Sequence, residues 1–119
     1  MLTRLRGAPD RLLHPLRRRR ALAALRRRSG PAAVLVVCHG NICRSPFAAG
    51  LLSRTLGPAG MLVASAGFVG PGRVVPAEGS IAAARRGIDL SEHRSHLLTP
   101  VLAAEAQVII VMDMRQQRM

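Results

Sequence analysis

Between residues 31 and 112, short apolar runs alternate with stretches that carry one apolar face. Ala32 to Val37 (AAVLVV) is continuous and β-branched, the pattern of a parallel strand buried on both sides. A helix is predicted next, with Ser45 as N-cap and Pro46 at its first position, ending at Gly57-Pro58. At about 100° per residue, Phe47, Ala48, Leu51, Leu52 and Thr55 share a face that should pack on the sheet. Met61 to Ala66 reads as a second strand, and the Gly- and Pro-rich stretch from Gly67 to Pro76 as a surface loop. Ala77 to Arg86 predicts a second helix, stopped by Gly87, followed by an irregular stretch from Ile88 to Leu98. Thr99-Pro100 repeats the cap-then-proline signal and starts a short helix through Ala106. Gln107 to Met112 is a third apolar strand, expected to be buried, and Asp113 would cap a further helix.

Strands that alternate with helices and lack period-2 patterning imply βαβ crossovers. The expected fold class is therefore α/β, a three-layer open parallel sheet with flanking helices. Ligands of such sheets bind at the carboxyl ends of the strands, and the first strand ends at Cys38.

Composition changes this picture at the front end. A chain of 119 residues, 49% hydrophobic, suffices for one domain and its core. That core must be aliphatic, since Trp and Tyr are absent and Phe47 and Phe68 are the only aromatic residues. The net charge of +12 is concentrated in residues 1–30, where ten arginines face one acid, Asp10. Residues 31–119 hold eight arginines and five acids. The expected division is a basic extension over 1–30, disordered or partly helical, and an α/β domain over 31–119. The runs Arg17–Arg20 and Arg26–Arg28 repel themselves and stay solvated, although clustered Arg attracts anionic surfaces such as phosphate or lipid. No aromatic residue is interleaved to stack on bases, so no specific nucleic-acid partner is predicted. No apolar run approaches the roughly 20 residues of a membrane span, and arginines interrupt any signal-like stretch. Two cysteines five residues apart do not staple a secreted scaffold, which points to a reducing cytoplasm.

The chemistry lies in Cys38-His39-Gly40-Asn41-Ile42-Cys43-Arg44-Ser45. A thiolate is a nucleophile, and its pKa falls beside Arg or a helix N-terminus. A loop entering a helix turns successive N–H groups inward as a nest for a dianion, the donors here being the amides of His39 through Ser45. Gly40 lacks a Cβ and Asn41 tolerates left-handed torsions, as a tight curl requires. Arg44, six residues after Cys38, is placed to grip two oxygens bidentately, and the Ser45 hydroxyl to stabilise the thiolate. These parts suit phosphoryl transfer through a thiophosphate, followed by hydrolysis. A zinc site from Cys38, Cys43, His93 and His96 has loose Cys-x4-Cys spacing, so neither metal nor cofactor is predicted. A nucleotide P-loop lacks its Gly-Lys-Ser/Thr.

The run VVCHGNICRSP resembles the signature of low-molecular-weight protein tyrosine phosphatases. The resemblance continues through Ala64–Gly67, Arg86–Leu90 and Val108–Asp113. It implies a sheet of order 2-1-3-4, with no counterpart here for the fourth strand. It also implies Cys38 as nucleophile, Arg44 as phosphate clamp and Asn41 as a loop-shaping residue. Ser65 is expected to hydrogen-bond Asn41, Cys43 to form a reversible disulfide with Cys38, and Phe68 and Val69 to line a cleft. The implied substrates are phosphotyrosine proteins or small aryl phosphates, with inorganic phosphate as product. Two departures stand out. Arg86 lies where the family often carries His, and the family's Asp-Pro general acid has no counterpart. Glu78 and Asp113 are the nearest acids on paper, and neither matches that position. The expectation is a chain incomplete at its C-terminus, marginal in stability and impaired in turnover, with an exposed third-strand edge. Thiol-dependent arsenate reduction and oxyanion or phosphoprotein binding without turnover are the alternatives.

Overall fold

The computed structural model describes residues 14–20, 23 and 33–112. The chain divides into two compact units, residues 1–30 and 31–119. In the first, residues 14–20 are helical.

The second unit is built on three parallel strands in the order β2-β1-β3: β1 is Ala33–Cys38, β2 Leu62–Gly67 and β3 Val108–Val111. The central strand is the continuous apolar run, with Val34 through Cys38 all buried. A strand covered on both faces has no polar side to display, which is why its sequence does not alternate. Leu35 and Val37 join Ala66 on one face, where Phe68, Leu98, Leu102 and Ala106 pack against them. By strand alternation Val34 and Val36 point to the other face, toward helix α1, Arg44–Leu56, which packs on β1 and β2. Helix α2, Ala77–Arg85, adjoins α1 through a cluster of Ala83, Ile88 and Leu90 with Phe47 and Val75. Helix α3, Pro100–Glu105, brings Leu102 to the first face, completing the three layers.

Several boundaries differ from the pattern. Helix α1 begins at Arg44, with Cys43 in the cap position and no side-chain cap, so Ser45 is not the N-cap. Ser45 lies buried within the first turn, its hydroxyl drawn to the loop instead. Pro46 becomes the third helical residue, where its missing N–H still costs no helical bond. The buried face of α1 carries Ser45, Pro46 and Ala49, with Leu52 and Leu56 half-buried. Leu51 and Thr55, assigned to that face by the wheel, are exposed. The wheel counts apolar side chains, whereas close approach to the sheet selects small ones. Thr99 caps α3 as predicted, its hydroxyl accepting from the Leu102 amide at 3.2 Å. Gly87 adopts φ 76° just past α2, the conformation a helix stop requires. Strand β3 is not buried: Ile109 and Ile110 are 44% and 36% exposed, one on each face. It pairs only with β1 among the described residues. Asp113 lies outside the described residues.

Candidate active site

Residues 39–43 curl from the end of β1 into α1, and the curl closes on the Cys38 sulfur. Asn41 takes φ 53°, the left-handed conformation that Asn tolerates better than most residues. Gly40 does not share it; the room left by its absent side chain is used by a neighbour, since a Cβ there would stand 3.4 Å from the Arg73 guanidinium. The Asn41 amide then points at Cys38 Sγ at 3.2 Å, and the Ser45 hydroxyl lies 3.0 Å from the same sulfur.

Cys38 is 2% exposed. Desolvation by burial is the largest single influence on its thiol and pushes the pKa up. The Ser45 hydroxyl and the amides of Ser45, Asn41 and Gly40 together outweigh it, so the net shift is downward. Neutral dipoles thus favour the thiolate form of the sulfur against the effect of burial. The amides of Ile42, Cys43 and Arg44 make no hydrogen bond among the described residues. Unused donors beside a nucleophile are what an oxyanion needs. Arg44 opens α1, exposed, and forms no ion pair among the described residues. His39 is exposed, and its carbonyl accepts from the Phe68 amide at 2.8 Å.

Asn41, fully buried, is the brace of the curl. Its Nδ2 donates to Ser45 Oγ at 2.8 Å, and its Oδ1 accepts from the His96 amide at 2.8 Å. Its carbonyl meets His93 Nε2 at 2.8 Å, so that ring nitrogen carries the proton. Ser65 makes no hydrogen bond to Asn41 among the described residues. It stands opposite Val36 in the sheet, two residues short of the loop. The residue of β2 that reaches the loop is Gly67, where a Cβ would fall 2.8 Å from the Asn41 nitrogen and 2.9 Å from the Gly40 carbonyl carbon. Gly67 is therefore glycine because the loop backbone crosses directly over it. Its own amide and carbonyl clamp the irregular segment, through His96 O at 2.8 Å and Leu98 N at 2.7 Å.

Phe68, half-buried, packs beside Leu35, Val37 and Ala66, and Val69 is exposed. Cys43 is half-buried and free, and the ideal Cβ of Gly79 would meet its sulfur at 2.9 Å, so the thiol faces α2. With Arg44, Phe47 and Leu51 of α1, Ala83 of α2 and Arg86 just past it, it lines a cleft of about 570 Å³. Arg86 enters the hydrogen-bond network through its backbone, its carbonyl accepting from Arg54 at 3.0 Å and its amide donating to Ala83 O at 3.0 Å. The histidine that steadies the loop is His93, contributed by the stretch that reads as irregular. The sequence singles out His93 and His96 only as members of a zinc set whose spacing is too loose to predict, and gives them no role at the loop. Their distinguishing signal, a polar segment obliged to run past the loop, is topological.

Residues 33–119 match the family model described as low molecular weight phosphotyrosine protein phosphatase. The chain is 47% identical over 87 residues to the probable low molecular weight protein-tyrosine-phosphatase EpsP of Ralstonia nicotianae, covering 71% of this chain and 58% of that protein. Among solved structures, Wzb of Vibrio vulnificus in complex with benzylphosphonate superposes with a TM-score of 0.67 at 32% identity, over 73% of this chain and 62% of that one. The YwlE arginine phosphatase of Geobacillus stearothermophilus superposes with a TM-score of 0.67 at 34% identity, over 74% and 56%. The chain belongs to the low molecular weight phosphotyrosine protein phosphatase family. It spans just over half the length of the curated relatives it matches.

Proposed function

We propose that this chain carries the nucleophilic half of a cysteine-dependent phosphatase acting on phosphotyrosine or small aryl phosphates. The observation that supports it most is the Cys38 thiol, buried yet lowered in pKa by Ser45 and three loop amides. The thiolate attacks phosphorus, the ester P–O bond breaks, and the leaving oxygen departs with its electron pair. Arg44 and the free amides of Ile42, Cys43 and Arg44 balance the equatorial oxygens. Water then cleaves the S–P bond and releases inorganic phosphate, regenerating Cys38. No carboxylate hydrogen-bonds the loop among the described residues. Activated aryl esters, which leave without a proton, are the substrates that test the nucleophile by itself.

The benzylphosphonate in the Wzb complex supports an aryl substrate. The arginine phosphatase among the structural neighbours makes phosphoarginine the competing class. No relative described above bears a reductase name, and arsenate reduction gains nothing from them. Two free thiols, one of which must stay reduced to act, suit the cytoplasm. The test is hydrolysis of para-nitrophenyl phosphate and of phosphotyrosyl and phosphoarginyl peptides by the chain and by Cys38→Ser. Aryl phosphate turnover that vanishes in Cys38→Ser supports the reading. Turnover that survives it, or one confined to phosphoarginine, overturns it.

A further inference from the structure

Ser95 is 2% exposed and takes no part in the chemistry above, yet its side chain and backbone are both fully engaged. Its hydroxyl accepts from the Arg73 amide at 2.8 Å and donates to the Gly70 carbonyl at 2.6 Å. Its backbone adds two bonds, Ser95 N to Arg73 O at 2.8 Å and Gly72 N to Ser95 O at 2.7 Å. Four bonds from one buried residue fix the 70–73 turn, which contains two glycines at positive φ, Gly70 at 54° and Gly72 at 77°. The turn is also tied to the loop through Phe68 N and His39 O.

A turn so pinned aims one side chain. Arg73 folds back over Gly70, where a Cβ would meet its Cδ at 2.7 Å, and brings its guanidinium beside Gly40, where a Cβ would lie 3.4 Å from a terminal nitrogen. Gly40 is a residue whose amide acts on the Cys38 sulfur. A second guanidinium therefore stands at the rim of the anion loop, opposite in origin to Arg44. It is exposed, and it pairs with no carboxylate among the described residues. A cation held at such a rim meets whatever lies next to the scissile phosphate.

We propose that Arg73 is a substrate-selecting residue that pairs with an acidic group adjacent to the phosphorylated side chain, so that the loop favours acidic phosphotyrosyl peptides. This rests on the phosphatase reading, and the test separates the two. One phosphotyrosyl peptide is prepared with Glu, Ala or Lys flanking the phosphorylated residue. KM and kcat are measured on the full chain, and Kd on the Cys38→Ser variant, which needs no turnover. The KM and Kd for the Glu peptide should lie about two- to fivefold below those for the Ala peptide, the range of an exposed ion pair. The ratio should shrink as salt is raised. Arg73→Ala should bring it near one, Arg73→Lys should keep it, and Arg73→Glu should invert it in favour of the Lys peptide. A variant that merely disturbs the turn lowers all three peptides together and leaves the ratio alone. An unchanged ratio in Arg73→Ala, or no ordering in the parent chain, overturns the proposal. Ordered Kd values without any turnover would sink the phosphatase reading and leave Arg73 its role.

Discussion

Cys38 is governed by a contest between burial and hydrogen bonding, and its outcome is measurable. The hydrogen bonds prevail, so the folded chain keeps the thiolate at a lower pH than the unfolded chain does. The stabilising contribution is therefore present in full above the unfolded thiol's pKa and is lost as pH falls through the lower folded value. Alkylation of Cys38 in a Cys43→Ala background should show its midpoint at lower pH in the folded chain than in urea; coincident midpoints would contradict the assignment. Ser45→Ala removes the hydroxyl 3.0 Å from the Cys38 sulfur and should slow turnover at about pH 6 by roughly tenfold or more, from the strength of bonds to charged groups. Gly67→Ala should be nearly as harmful, because its Cβ would collide with the backbone of Gly40 and Asn41, at about 1–3 kcal/mol of stability; chemical denaturation with a parallel activity assay checks it. The gathering of Cys38, Asn41, Arg44 and Ser45 was legible in the sequence because it depends on spacing within one loop. His93, Ser95 and Gly67 were not, since each acts on the loop or its rim from more than 20 positions away. Ser65 illustrates the opposite error. The family resemblance implied its bond to Asn41, and the sheet register brings Gly67 to the loop instead.

Among the elements, β1 carries the most weight. It supplies the centre of the sheet, the core of both faces and, at its last residue, the Cys38 thiol. Val36, fully buried there, should cost about 1.5–3 kcal/mol when cut to Ala, read from urea unfolding midpoints. A loss under about 0.5 kcal/mol would mean the packing around β1 is looser than described. The strands, the Thr99 cap and the helix stops could be read in advance because continuous apolar runs, Thr-Pro and Gly are local signals. The rotation of α1 could not. Its buried face is set by how closely Pro46 and Ala49 approach the sheet, and by Gly50 against Ile88, where a Cβ would fall 2.7 Å from the isoleucine side chain. The exposure of β3 likewise follows from sheet order, which an apolar string such as VIIV does not encode.

At the scale of the molecule, the loop, the 70–73 turn and the 93–98 segment form one hydrogen-bonded body around Cys38. Binding an oxyanion should therefore stabilise the fold and not only block the thiol. Inorganic phosphate at about 100 times its Kd should add about 2.7 kcal/mol, several degrees of melting temperature for a domain of this size. Arg44→Ala should abolish most of that shift at the same phosphate concentration. The most direct test of the account is to look for the covalent intermediate itself. The chain is mixed with an activated aryl phosphate, quenched in acid within the first turnover, and mapped by peptide mass spectrometry. The expected result is one phosphate on Cys38, absent from Cys38→Ser and absent when Cys38 is alkylated beforehand. Aryl phosphate hydrolysis with no phosphate on Cys38, or with phosphate on another residue, would contradict it.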